Sequence, residues 1–120
     1  MLWILTWMPL DYGAVSPVRG KAGYVAEVEG GAYETVRYGA RTVSFRVKAS
    51  APFVVEVKYW YDGEFWMRRL NYGAGEREIT VSLEGKEGAE MIPTRGLGPR
   101  PAVVTVKSDG RLLISEVEVR

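Results

Sequence analysis

Along the second half of the chain, hydrophobic and polar residues alternate with a period of two, and glycine-marked turns interrupt the alternation at short intervals. Thr42–Ala49, Phe53–Tyr61, Phe65–Leu70, Arg77–Leu83, Ala102–Lys107 and Arg111–Val119 read as six strands, and no amphipathic helix fits between them. In Thr42–Ala49, Val43, Phe45 and Val47 face in while Ser44, Arg46 and Lys48 face out. Tyr24–Glu29 and Tyr33–Tyr38 are two shorter strands around Gly30-Gly31, a pair that accepts positive φ in a turn. Leu2–Met8 is apolar on both faces, which predicts a strand buried on both sides. Asp11–Gly23 and Glu84–Pro101 carry Gly and Pro without periodicity and read as loops. The pattern predicts one all-β domain over residues 1–120, an antiparallel β-sandwich of about eight strands. Its core is expected to hold Phe45, Val47, Val55, Val57, Tyr59, Phe65, Val81, Leu83, Val104, Val106, Ile114 and Val117.

The densest aromatic segment is Tyr59–Trp66, and the turn inside it decides which face each ring takes. A two-residue Asp62-Gly63 turn pairs Tyr61 with Glu64 and puts Tyr59 and Trp66 on one face. A three-residue loop with Gly63 in the left-handed conformation shifts the register by one. Val55, Val57, Tyr59, Phe65 and Met67 then share an apolar face, opposite Glu56, Lys58, Trp60, Glu64, Trp66 and Arg68. The second register separates core from solvent better and is the expectation. It makes Trp60 and Trp66 neighbours on a polar face with Lys58 and Arg68, and Tyr72 just past the strand extends the patch. Two readings follow. The indoles pack on Lys58 and Arg68 as cross-strand and cation–π neighbours. Alternatively they form a platform that stacks on a sugar ring or anchors a protein interface.

Composition narrows the chemistry. A net charge of +1 from 16 basic and 15 acidic residues supplies no basic stripe for phosphates, so nucleic acid is not an expected partner. Cys and His are both absent, which removes disulfides, thiolate or imidazole metal sites and every His-dependent triad. Glu76 and Glu78 lie two apart on one strand face and read as a solvated edge. Gly96-Leu97-Gly98 lacks the third glycine of a dinucleotide fingerprint, and no Ser is followed three residues later by Lys. A non-catalytic protein without a cofactor is expected. Leu2–Leu10 is about half the length of a membrane-spanning helix and lacks a basic leader, so no membrane span is expected. Gln is absent, Asn71 is the single Asn, and Glu and Arg supply most of the charge, a bias that hyperthermophile proteins tend to show. The expected melting temperature is above ~90 °C, and calorimetry showing reversible unfolding in the mesophile range would remove the thermophile reading.

From Arg41 onward the chain resembles the jelly-roll carbohydrate-binding modules and their galactose-binding-domain-like relatives. The resemblance lies in Thr42–Ser50, in Phe53–Tyr61 as the long central strand, and in Gly110–Val119 as the closing strand. There Leu112 and Ile114 point in, an irregularity at Ser115-Glu116 changes the phase, and Val117 and Val119 point in again. It implies a binding module that recognises carbohydrate or a related ligand, with an extracellular or cell-surface setting. Members often hold a structural calcium near the terminal strands. Ser115 stands where an acidic residue would be usual, so no metal is expected. The alternative is a structural module whose partner is another protein or a second copy, with Leu2–Met8 inserted into a neighbour's sheet.

Overall fold

The computed structural model describes residues 14–16, 23–39, 41–94 and 98–120. The predicted strand Leu2–Met8 lies outside them, as does most of the predicted loop Asp11–Gly23. Among the described residues nine strands are formed: β1 (Ala14–Ser16), β2 (Ala26–Arg37), β3 (Thr42–Ala49), β4 (Phe53–Tyr61), β5 (Glu64–Tyr72), β6 (Gly75–Ser82), β7 (Glu90–Ile92), β8 (Ala102–Ile114) and β9 (Glu118–Val119). Every pairing is antiparallel. One layer runs β1-β2-β8-β4-β5-β7; β3 pairs with β6, β9 and the C-terminal end of β8 to build the other. Among the described residues no helix is long and apolar enough to cross a membrane.

The layers close on one core. Val43, Phe45 and Val47 of β3 and Ile79 and Val81 of β6 meet Val55, Val57 and Tyr59 of β4 and Val104 and Val106 of β8. All twelve residues expected in the core are buried, eleven of them in this cluster; Phe65 is the exception, buried on the outer face opposite Trp60. The bounds of β3 and β4 match the sequence reading, because both strands alternate without interruption. Val119 differs: on the two-residue strand β9, which among the described residues pairs with β3 alone, it keeps 40% of its surface.

Two breaks in the sequence pattern prove to be bends rather than ends, and a third separates β8 from β9. Gly30-Gly31 does not turn the chain; β2 continues through it, and its register against β8 slips between Glu29 and Gly31. Gly30 takes φ 62°, as a bulge requires. On the other strand, Asp109-Gly110 also stays inside β8. Ser108 Oγ donates to the Pro52 carbonyl at 2.9 Å and accepts from the Gly110 amide, which sets the corner. A Cβ at Gly110 would lie 2.5 Å from Ser50 Oγ and 2.8 Å from Ala51 Cβ, so only glycine fits. Before this corner β8 pairs with β4, and after it with β3, while β2 follows it throughout. At Ser115 the expected irregularity is present: Ser115 and Arg46 exchange two hydrogen bonds, and pairing to β3 resumes one residue out of phase.

The β4–β5 hairpin takes the register the sequence analysis set aside. Tyr61 pairs with Glu64 and Tyr59 with Trp66. Asp62 and Gly63 both have positive φ, 53° and 78°, the geometry of a two-residue type I′ turn whose twist matches the flanking strands. Arg68 therefore faces inward. The inner position is tolerable because its guanidinium lies 5.5 Å from the Tyr59 ring centre and donates to the carbonyls of Glu84, Gly85 and Glu87. The Tyr59 hydroxyl donates to the same Gly85 carbonyl at 2.8 Å. Its Nε–H is buried without a partner among the described residues, so the Nη hydrogen bonds and the ring contact are what offset the cost of placing an arginine where the alternation expects an apolar residue.

Candidate functional site

Strand pairing fixes the outer face of the β2-β8-β4-β5 sheet row by row. Glu34 lies beside Thr105, Thr105 beside Glu56, and Glu56 beside Arg69. One neighbouring row is Ala32, Lys107, Val54 and Asn71; the other is Val36, Val103, Lys58 and Met67. A groove of about 670 Å³ lies over the first two rows, with Gly31, Pro52 and Asp109 toward one end and Lys58 toward the other. This is within the range of small-ligand sites. Its floor is built from paired strands, so its shape is held by the sheet.

Glu56 anchors the floor and keeps only 7% of its surface. Lys107 Nζ lies 2.9 Å from Oε1, and Arg69 reaches Oε2 with Nη2 at 2.6 Å and Nε at 2.8 Å. Burial on its own would raise the carboxyl's pKa. The hydrogen bonds from Lys107 and Arg69, then their charges, outweigh it and hold the pKa below its usual value. Glu56 is thus a fixed anion occupied on both oxygens, poorly suited to giving up a proton in catalysis. Glu34, Lys58 and Asp109 have no hydrogen-bond or ion-pair partner among the described residues and present free polar groups to the groove.

The five residues expected to bind ligand divide between the two faces. Lys58 and Trp60 lie two apart on β4 and share the outer face, where Trp60 is half-buried beside Phe65. Trp60 also lines a smaller recess of about 210 Å³ with Arg37, Gly39, Leu83, Arg100 and Pro101. Trp66, Arg68 and Tyr72 are on the inner face, so the expected pairing of the two indoles on one surface is corrected. Trp66 packs against the core, donates Nε1–H to the Tyr61 carbonyl at 3.0 Å, and has Lys86 Nζ 5.6 Å from its ring centre. Tyr72 stacks on Phe53 at 5.1 Å between ring centres, with Arg77 over it. Sequence reasoning missed Glu34, Thr105 and Lys107. The available signal was Val103, Thr105 and Lys107 on one face of a strand whose other face is Val104 and Val106.

No protein-family model and no curated protein matches the chain. Among solved structures it is similar to a family 11 carbohydrate-binding module from Clostridium thermocellum, determined in complex with a β-1,3-1,4-mixed-linked tetrasaccharide. The match has a TM-score of 0.55 and 12% identity, over 91% of this chain and 82% of that one. At that identity the likeness is one of fold: this chain is an antiparallel jelly-roll β-sandwich of the kind carbohydrate-binding modules use.

Proposed function

We propose that this protein is a non-catalytic module that binds a glycan along the outer-face groove. The observation that carries the reading is the groove itself, a strand-built trough with a buried ion-paired Glu56 as its floor and Glu34, Thr105, Lys58 and Asp109 around it. Such a surface suits a chain of hydroxyl groups. Carboxylates accept from them, ammonium groups donate to them, and the Thr105 hydroxyl does either. Trp60, at the Lys58 end, offers an indole to the C–H face of a sugar ring. Neutral chains fit best in the groove proper, where Glu34, Glu56 and Asp109 face Lys58 and Lys107 and leave no dominant charge. The shared fold with a module that was solved holding a tetrasaccharide supports the same reading.

Titration calorimetry with a panel of oligosaccharides, mixed-linked β-glucan included, tests it. At least one soluble oligosaccharide is expected to bind. Trp60→Ala should weaken that binding by about 1–3 kcal/mol, as truncation of an interface anchor does. Glu34→Gln should also weaken it, with little change in melting temperature for either variant. A folded protein that binds none of the panel would overturn the reading.

A further inference from the structure

The groove and the recess beside Trp60 differ in charge. The groove has carboxylates and ammonium groups in near balance. Among the described residues the recess is lined by two guanidiniums, Arg37 and Arg100, and by no carboxylate. Arg37 is largely occupied. Its Nε donates to the Val117 carbonyl, its Nη1 to Thr35 and Val36, and its Nη2 stands 3.5 Å from exposed Glu116. Arg100 is exposed and has no partner among the described residues. The recess thus combines one half-buried indole, one free planar cation and a second, anchored cation in about 210 Å³. Inward-facing Arg37, Tyr59 and Ala102 border it at the end of the sandwich, and Trp60 is the next outer-face residue of β4 after Lys58, which also lacks an ion-pair partner among the described residues and belongs to the groove.

An indole face takes the apolar side of a pyranose, and a guanidinium fork matches a planar or tetrahedral oxyanion better than it matches a hydroxyl. From this juxtaposition we infer that the recess captures a sugar ring bearing an anionic substituent, a carboxylate or a sulfate, at one end of the bound glycan. The inference rests on the glycan reading of the groove and extends it: the ligand is neutral along the trough and acidic at the Trp60 end. Arg100 is the selecting residue, through a charge-assisted hydrogen bond to the substituent. Trp60 supplies the stacking surface.

The test follows the indole N–H of Trp60 by ¹⁵N NMR, assigned with Trp60→Phe, during titration with glucose, glucuronate and glucose 6-sulfate. Saturable shifts are expected for an anionic sugar at concentrations roughly tenfold or more below those needed for glucose. The two acids separate carboxylate from sulfate selection. Arg100→Gln should remove the preference, Arg100→Lys should restore part of it, and added salt should weaken the acids and leave glucose unaffected. Equal binding of glucose and both acids, no binding of either acid, or an acid preference that survives Arg100→Gln would each overturn the inference. Oligosaccharide binding that Glu34→Gln weakens, without any acid preference at Trp60, would refute the inference and leave the groove reading standing. Acid binding at Trp60 with no oligosaccharide bound by the groove would refute the glycan reading and reduce the recess to an anion site.

Discussion

Trp66→Ala is expected to destabilise the protein by about 2–4 kcal/mol while leaving glycan affinity unchanged in the folded fraction. Truncating a fully buried tryptophan costs about 3–5 kcal/mol. Trp66 is half-buried, so a correspondingly smaller loss of about 2–4 kcal/mol applies. It contributes contacts with the core, a hydrogen bond to the Tyr61 carbonyl and the surface beneath Lys86. Trp60→Ala should behave the opposite way, with weak binding and near-normal stability. Denaturant unfolding and calorimetric titration of the two variants side by side check the assignment. If Trp66→Ala lost affinity in proportion to Trp60→Ala at unchanged stability, the two indoles would share a ligand and the opposed-face assignment would fail.

A second large effect is expected at the groove floor. Arg69→Met with Lys107→Met keeps the apolar stems and removes both cations, leaving the Glu56 carboxylate buried and alone. Breaking a buried ion pair from one side costs about 3–5 kcal/mol. Both cations are half-exposed in the native protein, which places the expected loss at neutral pH near the bottom of that range, about 3 kcal/mol. The pH dependence has a definite sign. In the native protein the folded-state pKa of Glu56 is depressed, so its contribution is complete above the ordinary carboxylate range and is lost as pH falls through the folded value. In the double variant burial acts alone and raises the folded value, so acidification relieves the variant. Urea unfolding at pH 7 and pH 4 should show the gap between the two proteins narrowing. A gap of equal size at both would mean that Glu56 has no unpaired charge to neutralise.

The sequence disclosed the strands that alternate without interruption. Thr42–Ala49 and Phe53–Tyr61 keep one apolar face from end to end, and their limits and inward-facing residues follow from that periodicity, whereas the burial of Glu56 on the other face does not. It was less informative where one side chain could be satisfied in two ways. Arg68 reads as an outward charge by its type. Inside the sandwich, the carbonyls of the loop after β6 take up its Nη groups and the Tyr59 ring faces its charge, and those partners lie 16 to 19 residues away or on another strand. One inward arginine moved the register of the hairpin and sent Trp66 to the other face. The groove was illegible for a related reason. Glu34, Thr105, Glu56 and Arg69 come from four strands, and they form a row only because β8 lies between β2 and β4. Local periodicity carries no record of that order. Lys58 and Trp60, two apart on one strand, were legible together.

The corner in β8 bears on how the molecule assembles in time. Because β2 follows β8 around the bend, residues such as Glu29 and Arg111 meet although they stand 82 positions apart. The chain entropy of closing so long a loop must be met before either layer has its central pair. Refolding is therefore expected on the millisecond-to-second timescale of β-topologies rich in distant pairings. A nascent chain emerging from synthesis would hold no complete groove until β8, which supplies Thr105 and Lys107, had followed β2, β4 and β5. Binding competence should then appear in one kinetic step with the whole fold.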